Sequence, residues 1–180
     1  MNCSSKINIT QASPEDSADI QMIIKLASKT MYLNCGYSTK DFEDRFNDCM
    51  SNESILSCAK NISSLSKNEM CFIAYSHNKP VGLCYAEKTS KNNHIHAIYI
   101  LPDFQNRGIG RRLWSETQGF LDQTKDTVLN VFSCNVGAID FYKKLGFIDS
   151  GKRIKQKKFE SGSGIEIEEM EMIRKAEMKM

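Results

Sequence analysis

Residues 98–110, with the sequence IYILPDFQNRGIG, contain a glycine-rich turn between an apolar, strand-like segment and the start of a helical pattern. The strand must end at Pro102, because proline cannot donate to a sheet ladder. Gly108 and Gly110 let the backbone approach a ligand closely, and the first N–H groups of the following helix have no partner inside it. These amides and the positive end of the helix dipole predict an anion site about the size of a pyrophosphate.

Three arginines, Arg107, Arg111 and Arg112, add positive charge around this turn. Two common nucleotide-binding motifs do not fit the stretch. The dinucleotide fingerprint of doubly wound folds needs a third glycine, which is missing. The Walker A loop needs Gly-Lys-Ser/Thr, whereas Arg111 follows Gly110.

The segments on either side predict a mixed sheet with helices on its faces. On the N-terminal side, the pattern predicts a strand at 7–10, a helix opened by Ser13 and Pro14, a helix opened by Ser38, and a short helix near Ile55. Farther along, it predicts strands at 70–75, 80–86, 94–101, 128–134, 147–154 and 165–173, and helices at 108 to about 124 and at 137–145. The apolar parity of the last strand slips, so a β-bulge is expected near Glu168 and Glu169.

Two sequence blocks together resemble the GNAT superfamily of acetyl-CoA-dependent N-acetyltransferases. The first is the glycine-rich stretch 98–110, and the second is 135–147, NVGAIDFYKKLGF, in the same order and spacing as in that superfamily. The resemblance implies an α+β fold with a mostly antiparallel sheet of six to seven strands and about four helices. It also implies that the sheet splays between its fourth and fifth strands, here 94–101 and 128–134. We expect one domain over residues 1–173 and a charged, frayed tail over 174–180.

The resemblance also implies acetyl-CoA as co-substrate and assigns roles to matched positions. The backbone of Ile98 and Ile100 would pair with the pantetheine arm, the amides of residues 105–110 would hold the pyrophosphate, and Asn135 would bind near the pantetheine. Tyr142 lies where the family often carries the acid that protonates the departing thiolate, although an aromatic residue beside Phe141 is also typical of a core. The implied cofactor-binding set is Ile98, Tyr99, Ile100, Gln105, Asn106, Arg107, Gly108, Ile109, Gly110, Arg111, Asn135, Ala138, Tyr142 and Lys144.

Transfer to an amine needs a base, because an alkyl ammonium is only about 0.04% neutral at pH 7. Many relatives carry a glutamate for this purpose on the fourth strand. Here His94 and His96 stand on that strand, on one face by period-2 alternation, and histidine suits the task. The pair could also simply decorate the strand face, and Glu87 is a weaker candidate. An alternative glutamate position of ribosomal-protein acetylating relatives falls on Asn130, which counts against acceptors with N-terminal amines.

We therefore expect direct transfer of an acetyl group to a primary amine of a small molecule or peptide. The alternative is a CoA-binding regulatory or interaction module with little or no catalysis. A metal-dependent hydrolase needs clustered ligands, and the three histidines show no such spacing with acids, so no metal is expected. The resemblance places the loop 31–39, with Tyr32 and Tyr37, and the helix after it along the acceptor site. That helix carries four acids, which are expected mainly on a solvated face but would favour a cationic amine if they lined the site: Asp41, Glu43, Asp44 and Asp48.

Composition limits the remaining classes of protein. The chain has 180 residues, with 24 basic and 22 acidic side chains and a net charge of +2, which is too balanced to indicate nucleic acid or a membrane surface. No apolar run approaches 18 residues and no signal-peptide pattern follows Met1. The seven cysteines lack Cys-x-x-Cys spacing, and we expect all of them, including Cys134, to be reduced packing residues of a cytoplasmic protein. A homodimer is common among relatives.

Overall fold

The computed structural model describes residues 7–156 and 167–176, so the predicted turn at 161–164 lies outside it. Short 3₁₀ turns at Pro14–Asp16, Asn47–Met50 and Pro102–Phe104 accompany the main elements. The helices are α1 Ser17–Asn34, α2 Thr39–Phe46, α3 Asn52–Ser63, α4 Ile109–Phe120 and α5 Val136–Lys144. The strands are β1 Ile7–Gln11, β2 Glu69–Ser76, β3 Lys79–Lys88, β4 Asn93–Ile100, β5 Thr127–Phe132, β6 Ile148–Gln156 and β7 Ile167–Arg174.

The described strands form one mixed sheet in the order β1-β2-β3-β4-β5-β7-β6. All neighbours run antiparallel except β4 and β5, which are parallel. The expected fold class is therefore confirmed, with seven strands and five α-helices. The last two strands are reversed in the sheet relative to their order in the sequence, so β7 lies next to β5 and β6 lies at the edge.

Helix starts follow the predicted capping residues. Ser38 and Asp41 form a capping box, in which the Ser38 hydroxyl accepts from the Asp41 N–H at 3.1 Å and the Asp41 carboxylate accepts from the Ser38 N–H at 2.9 Å. Pro14 opens a 3₁₀ turn rather than α1 itself, which begins at Ser17. The α4 helix ends at Phe120, earlier than predicted, because Leu121 is extended and the side chain of Asn93 binds the N–H of Asp122 at 3.0 Å.

The two faces of the sheet bury separate apolar clusters. On one face, Ile20 and Ile23 of α1 pack on Ile73 and Leu83. On the other, α4 and α5 cover the sheet with Ile109, Leu113, Trp114 and Tyr142, which meet Cys84, Ile95 and Leu129. Burial of such side chains contributes about 1.5–3 kcal/mol each, so both helical layers hold the sheet in place.

Two sequence predictions about the C-terminal part of the chain need correction. The expected bulge at Glu168 and Glu169 is wrong, since Glu169 pairs with both β5 and β6 and Glu168 pairs with β6 without a shift in register. The register instead shifts on β6 between Asp149 and Arg153, where Gly151 has a φ of +83°. Arg174 belongs to β7 rather than to a frayed tail, while residues 177–180 lie outside the described chain. Asp126 fixes the next two residues, accepting from Lys175 Nζ and from the backbone N–H of Ala176, both at 2.9 Å.

The cysteine prediction is also wrong at two positions, because Cys35 and Cys134 form a disulfide. Cys35 directly follows α1, and Cys134 lies between β5 and α5. No local spacing revealed the pair, since 99 positions separate the two residues in sequence. Disulfides are typical of oxidising compartments, so the cysteines no longer support a cytoplasmic location.

Candidate active site

The parallel pair β4 and β5 separates after a short contact, as predicted. Only Asn93, His94 and Ile95 pair with β5, and β4 continues to Ile100 without it. A bulge lies at the separation point: Tyr85 pairs with Ala97 and Ala86 with Ile95, which leaves His96 as an extra residue. The carboxyl ends of the two strands therefore open into a cleft that starts at His96.

The glycine-rich turn presents a row of free backbone donors at one end of this cleft. Within the described chain, the N–H groups of residues 106–111 have no hydrogen-bond acceptor, while the flanking amides of Gln105 and Arg112 bond to the carbonyls of Pro102 and Gly108. Positive φ angles at Asn106 (58°) and Gly108 (79°) curve the backbone here. Consecutive N–H groups on a curved backbone at a helix N-terminus are a strong anion site.

The arginines of the turn have different roles. The Arg112 guanidinium donates to the carbonyl of Ile7 at 2.9 Å, which ties α4 to β1. Arg107 lies over the Phe104 ring, 5.2 Å from its centre, at the exposed mouth of the turn. The Gln105 side chain donates to the Ile100 carbonyl at 3.2 Å and so closes the loop onto the end of β4.

Glycine is required at Gly110 by packing and at Gly108 by conformation. A Cβ at Gly110 would lie 3.0 Å from Cζ of Phe141, so this glycine lets α5 pack against the first turn of α4. A Cβ at Gly108 would meet nothing within 4 Å, but its φ of +79° disfavours other residues. Gly110 therefore brings together the two sequence blocks that the resemblance joined.

Tyr142 is buried between the rings of Phe141 and Phe147 and reaches the open part of β4. Its phenol oxygen accepts from the backbone N–H of Ile98. Burial raises the pKa of the Tyr142 phenol, which therefore stays protonated at neutral pH. The hydroxyl is thus a proton-bearing group beside the unpaired stretch of β4.

In sequence, Asn135 follows Cys134 of the disulfide and precedes α5, the helix that carries Tyr142. The Asn135 Oδ1 accepts from the Ala138 N–H at 3.2 Å and caps α5, while its side-chain NH₂ makes no hydrogen bond to the described residues. Lys144 is exposed at the far end of α5. Tyr99, in contrast, is part of the core beneath α1, where its hydroxyl interacts with Ser28.

The two predicted histidines lie together at the start of the cleft, with ring centres 4.4 Å apart. The Nδ1 atom of His94 is buried and has no partner among the described residues. Burial, with His96 nearby, lowers the pKa of His94, while Glu87 and Glu171 act in the opposite direction. His94 is therefore neutral at pH 7 and can accept a proton or a hydrogen bond.

The contacts that hold the His96 ring were not predicted from the sequence. Its ring stacks on Tyr85, with centres 4.6 Å apart and planes 19° apart, and its Nε2 lies 3.2 Å from Glu87 Oε2. The Tyr85 hydroxyl in turn donates to Glu69 Oε1 at 2.6 Å. Period-2 alternation placed Tyr85 and Glu87 on one face of β3, but only the register with β4 shows that they contact His96.

The loop before α2 packs against a buried aromatic cluster. Tyr32, Tyr37 and Phe42 are buried together, with Phe132 of β5 packed against them. The Asp41 carboxylate binds the start of its own helix. Glu43, Asp44 and Asp48 are exposed, as expected of a solvated helix face.

The described chain shows neither a cluster of metal ligands nor a membrane-spanning helix. Across residues 7–156 and 167–176, no group of three or more His, Cys, Asp or Glu side chains is arranged to hold a metal ion. None of the helices in the described chain is long and apolar enough to cross a membrane.

Known solved structures share this fold over nearly the whole chain. The PaiA N-acetyltransferase of Thermoplasma acidophilum, solved in complex with coenzyme A, superposes with a TM-score of 0.70 at 21% identity, covering 94% of this chain and 99% of that one. The ribosomal-protein-S18-alanine N-acetyltransferase of Escherichia coli gives a TM-score of 0.67 at 15% identity, covering 97% of each chain.

Sequence comparison gives the family. An uncharacterized N-acetyltransferase of Methanocaldococcus jannaschii is 32% identical over 85 residues, which is 42% of this chain and only 38% of that protein's length. The family model described as acetyltransferase (GNAT) domain matches residues 37–173, about three quarters of the chain. With the splayed sheet and the glycine-rich turn in place, this match shows that the chain belongs to the GNAT acetyltransferase family.

Proposed function

We propose that this protein transfers an acetyl group from acetyl-CoA directly to a primary amine of a small molecule or peptide. The observation that carries the proposal is the row of unpaired amides at residues 106–111, placed at the open end of β4. A diphosphate held there leaves the pantetheine arm to run along β4 toward the cleft. The coenzyme A complex of the T. acidophilum relative supports the same ligand.

In this proposal, the pantetheine arm lies along the part of β4 that has no β5 partner. The backbone of Ile98 and Ile100 and the side-chain NH₂ of Asn135 supply its hydrogen-bonding groups. The Ile98 N–H already donates to Tyr142, so a contact with this N–H has to be shared with the phenol or exchanged for it. The reactive thioester then lies beside the Tyr142 hydroxyl.

The chemistry forms one C–N bond and breaks one C–S bond. A base removes a proton from the acceptor ammonium, and the neutral nitrogen attacks the thioester carbonyl. The departing thiolate takes a proton from the Tyr142 hydroxyl, which burial keeps protonated in the resting protein. The attacking nitrogen then loses its second proton, through solvent, to the Tyr142 phenolate, and this restores the phenol. No covalent enzyme intermediate is required, and Cys134 is in any case held in a disulfide.

The base belongs to the pair His94 and His96. They occupy the strand position at which the cleft opens, and together they can accept a proton directly or through a water molecule.

A thiol-release screen tests the function. Purified protein is incubated with acetyl-CoA and a panel of polyamines, aminoglycosides, amino acids and peptides, and free CoA thiol is measured. We expect release that depends on one acceptor class. If acetyl-CoA binds but no acceptor releases thiol and Tyr142→Phe changes nothing, the protein is a CoA-binding module and the enzymatic proposal is wrong.

A further inference from the structure

The surroundings of His96 distinguish it from its neighbour His94. The side chain of His96 is 36% exposed, whereas the Nδ1 of His94 is buried. His96 is also the extra residue of the β4 bulge, so its backbone is not constrained by regular pairing with β3. An exposed ring on an irregular strand would usually be free to rotate, yet this ring is held on two sides.

The first constraint is a flat support. Tyr85 stacks beneath the His96 ring, and the Tyr85 hydroxyl donates to Glu69. Glu69 is fixed as well, because its other carboxylate oxygen accepts from the backbone N–H of Ser66 at 3.1 Å and from the Ser66 hydroxyl at 2.8 Å. The support is therefore itself anchored, and it sets the plane of the imidazole.

The second constraint lies in that plane. Glu87 Oε2 is 3.2 Å from Nε2 of His96, so the carboxylate accepts the Nε2 proton. With Nε2 used as donor, Nδ1 is the nitrogen that carries the lone pair. A carboxylate on one nitrogen also stabilises the imidazolium that forms when the other nitrogen takes a proton, the same logic by which an aspartate orients histidine in hydrolytic triads.

We propose that Glu87 is a positioning residue that holds His96, on its Tyr85 support, as the base that takes the acceptor's proton. This inference rests on the proposed acetyl transfer and assigns the base within the histidine pair. His94 then lines the cleft as a neutral neighbour. Glu87 does not touch the reacting atoms, since its carboxylate is used on Nε2.

A double-mutant cycle tests this role with the acceptor found in the thiol-release screen. We expect Glu87→Gln to lower kcat about 10- to 100-fold, less than the roughly 100- to 10,000-fold contribution of a general base itself, with KM for acetyl-CoA nearly unchanged. In the His96→Asn background the same substitution should change kcat little, because the group that Glu87 orients is gone. Glu116→Gln changes an exposed glutamate on α4 that makes no hydrogen bond or ion pair with the described residues. It removes the same charge and should leave kcat unchanged.

A second readout needs no acceptor. Proton–nitrogen correlations of the histidine rings are recorded on labelled protein, and His96→Asn assigns the His96 signals among the three histidines. Glu87→Gln should move the ring nitrogen signals of His96 and leave those of His77 in place, and Glu116→Gln should move neither.

These results separate the two proposals. Unmoved His96 signals in Glu87→Gln, or an equal loss of kcat with and without His96, would overturn the positioning role. If no acceptor reacts with the wild-type protein, the acetyl-transfer proposal fails, and the ring signals alone decide whether Glu87 orients His96.

Discussion

Cys35 and Cys134 are covalently joined although 99 positions separate them in sequence. The bond links the residue that follows α1 to the residue immediately before Asn135, so it ties the end of α1 to the segment between β5 and α5. Both cysteines retain some exposure to solvent, so a reductant can reach the bond.

Reduction of this disulfide should lower the free energy of unfolding. Closing a loop of about 100 residues restricts the unfolded chain by roughly 4–5 kcal/mol in the chain-entropy description, which is an upper estimate. Urea unfolding of oxidised protein, reduced protein and Cys35→Ser measures the effect, with Cys49→Ser as control because Cys49 is free. Alkylation of Cys35 and Cys134 in unfolded, unreduced protein would show that the bond does not form.

Removal of the Tyr142 hydroxyl should affect catalysis more than cofactor binding. Tyr142→Phe loses the proposed proton donor, so kcat should fall about 100-fold, within the range of general-acid effects. The Kd of coenzyme A should change little, because the diphosphate contacts are untouched. Tyr75→Phe is the matched control, since that hydroxyl binds Asp16 on the α1 side of the sheet. Equal kcat values for the two variants would exclude Tyr142 as the acid.

Two glycines of α4 should respond oppositely to alanine. Gly119 has open space around its Cβ position, so Gly119→Ala should raise the free energy of unfolding by about 0.5–1 kcal/mol through helix propensity. Gly110→Ala should not raise the free energy of unfolding in this way, because the new Cβ would lie 3.0 Å from Phe141. Thermal unfolding and the Kd of coenzyme A measure both variants. A Gly110→Ala protein as stable as Gly119→Ala would show that α5 does not pack closely on this turn.

His94 should make stability dependent on pH in a defined window. Its pKa is lower in the folded protein than in the unfolded chain, so the unfolded state binds more protons just below pH 6.5. The contribution of His94 to the free energy of unfolding is fully present well above pH 6.5. It decreases as the pH falls from 7 toward 5.5. His94→Asn should show a smaller decrease in the free energy of unfolding over that interval.

The control for this pH effect is His77→Asn, at a turn position with a φ of 50° that asparagine tolerates. Urea unfolding at pH 7 and pH 5.5 gives the comparison. An identical pH dependence in wild type and His94→Asn would mean that His94 is not buried in its neutral form.

Periodicity and capping residues predicted the elements well, because each is decided within a few residues. The apolar runs of β2 and β3 stand on either side of a polar turn, and His77 and Asn78 adopt the positive φ angles that a two-residue hairpin needs. Ser38 opened α2 as its side chain predicts. The unpaired backbone N–H groups of the glycine-rich stretch could also be predicted, because they too depend only on neighbouring residues.

Features that depend on distant contacts were missed. The sequence around Cys35 and Cys134 does not indicate that the two residues are partners. The bond forms because the fold brings the end of α1 close to the end of β5. The contact between Glu87 and His96 depends on the β3–β4 register and on the bulge at His96, and no residue type in the sequence indicates that bulge. The hydrogen bond from Arg112 to the Ile7 carbonyl likewise depends on the packing of α4 beside β1, which joins residues far apart in sequence.

The central claim is that the backbone amides of residues 106–111 bind the diphosphate of acetyl-CoA. Amide chemical shifts in ¹⁵N-labelled protein test it directly, in titrations with coenzyme A and with pantetheine, which lacks the diphosphate. We predict large shifts at residues 106–111 with coenzyme A and little change there with pantetheine. Shifts confined to other parts of the chain, or equal shifts with both ligands, would contradict the account.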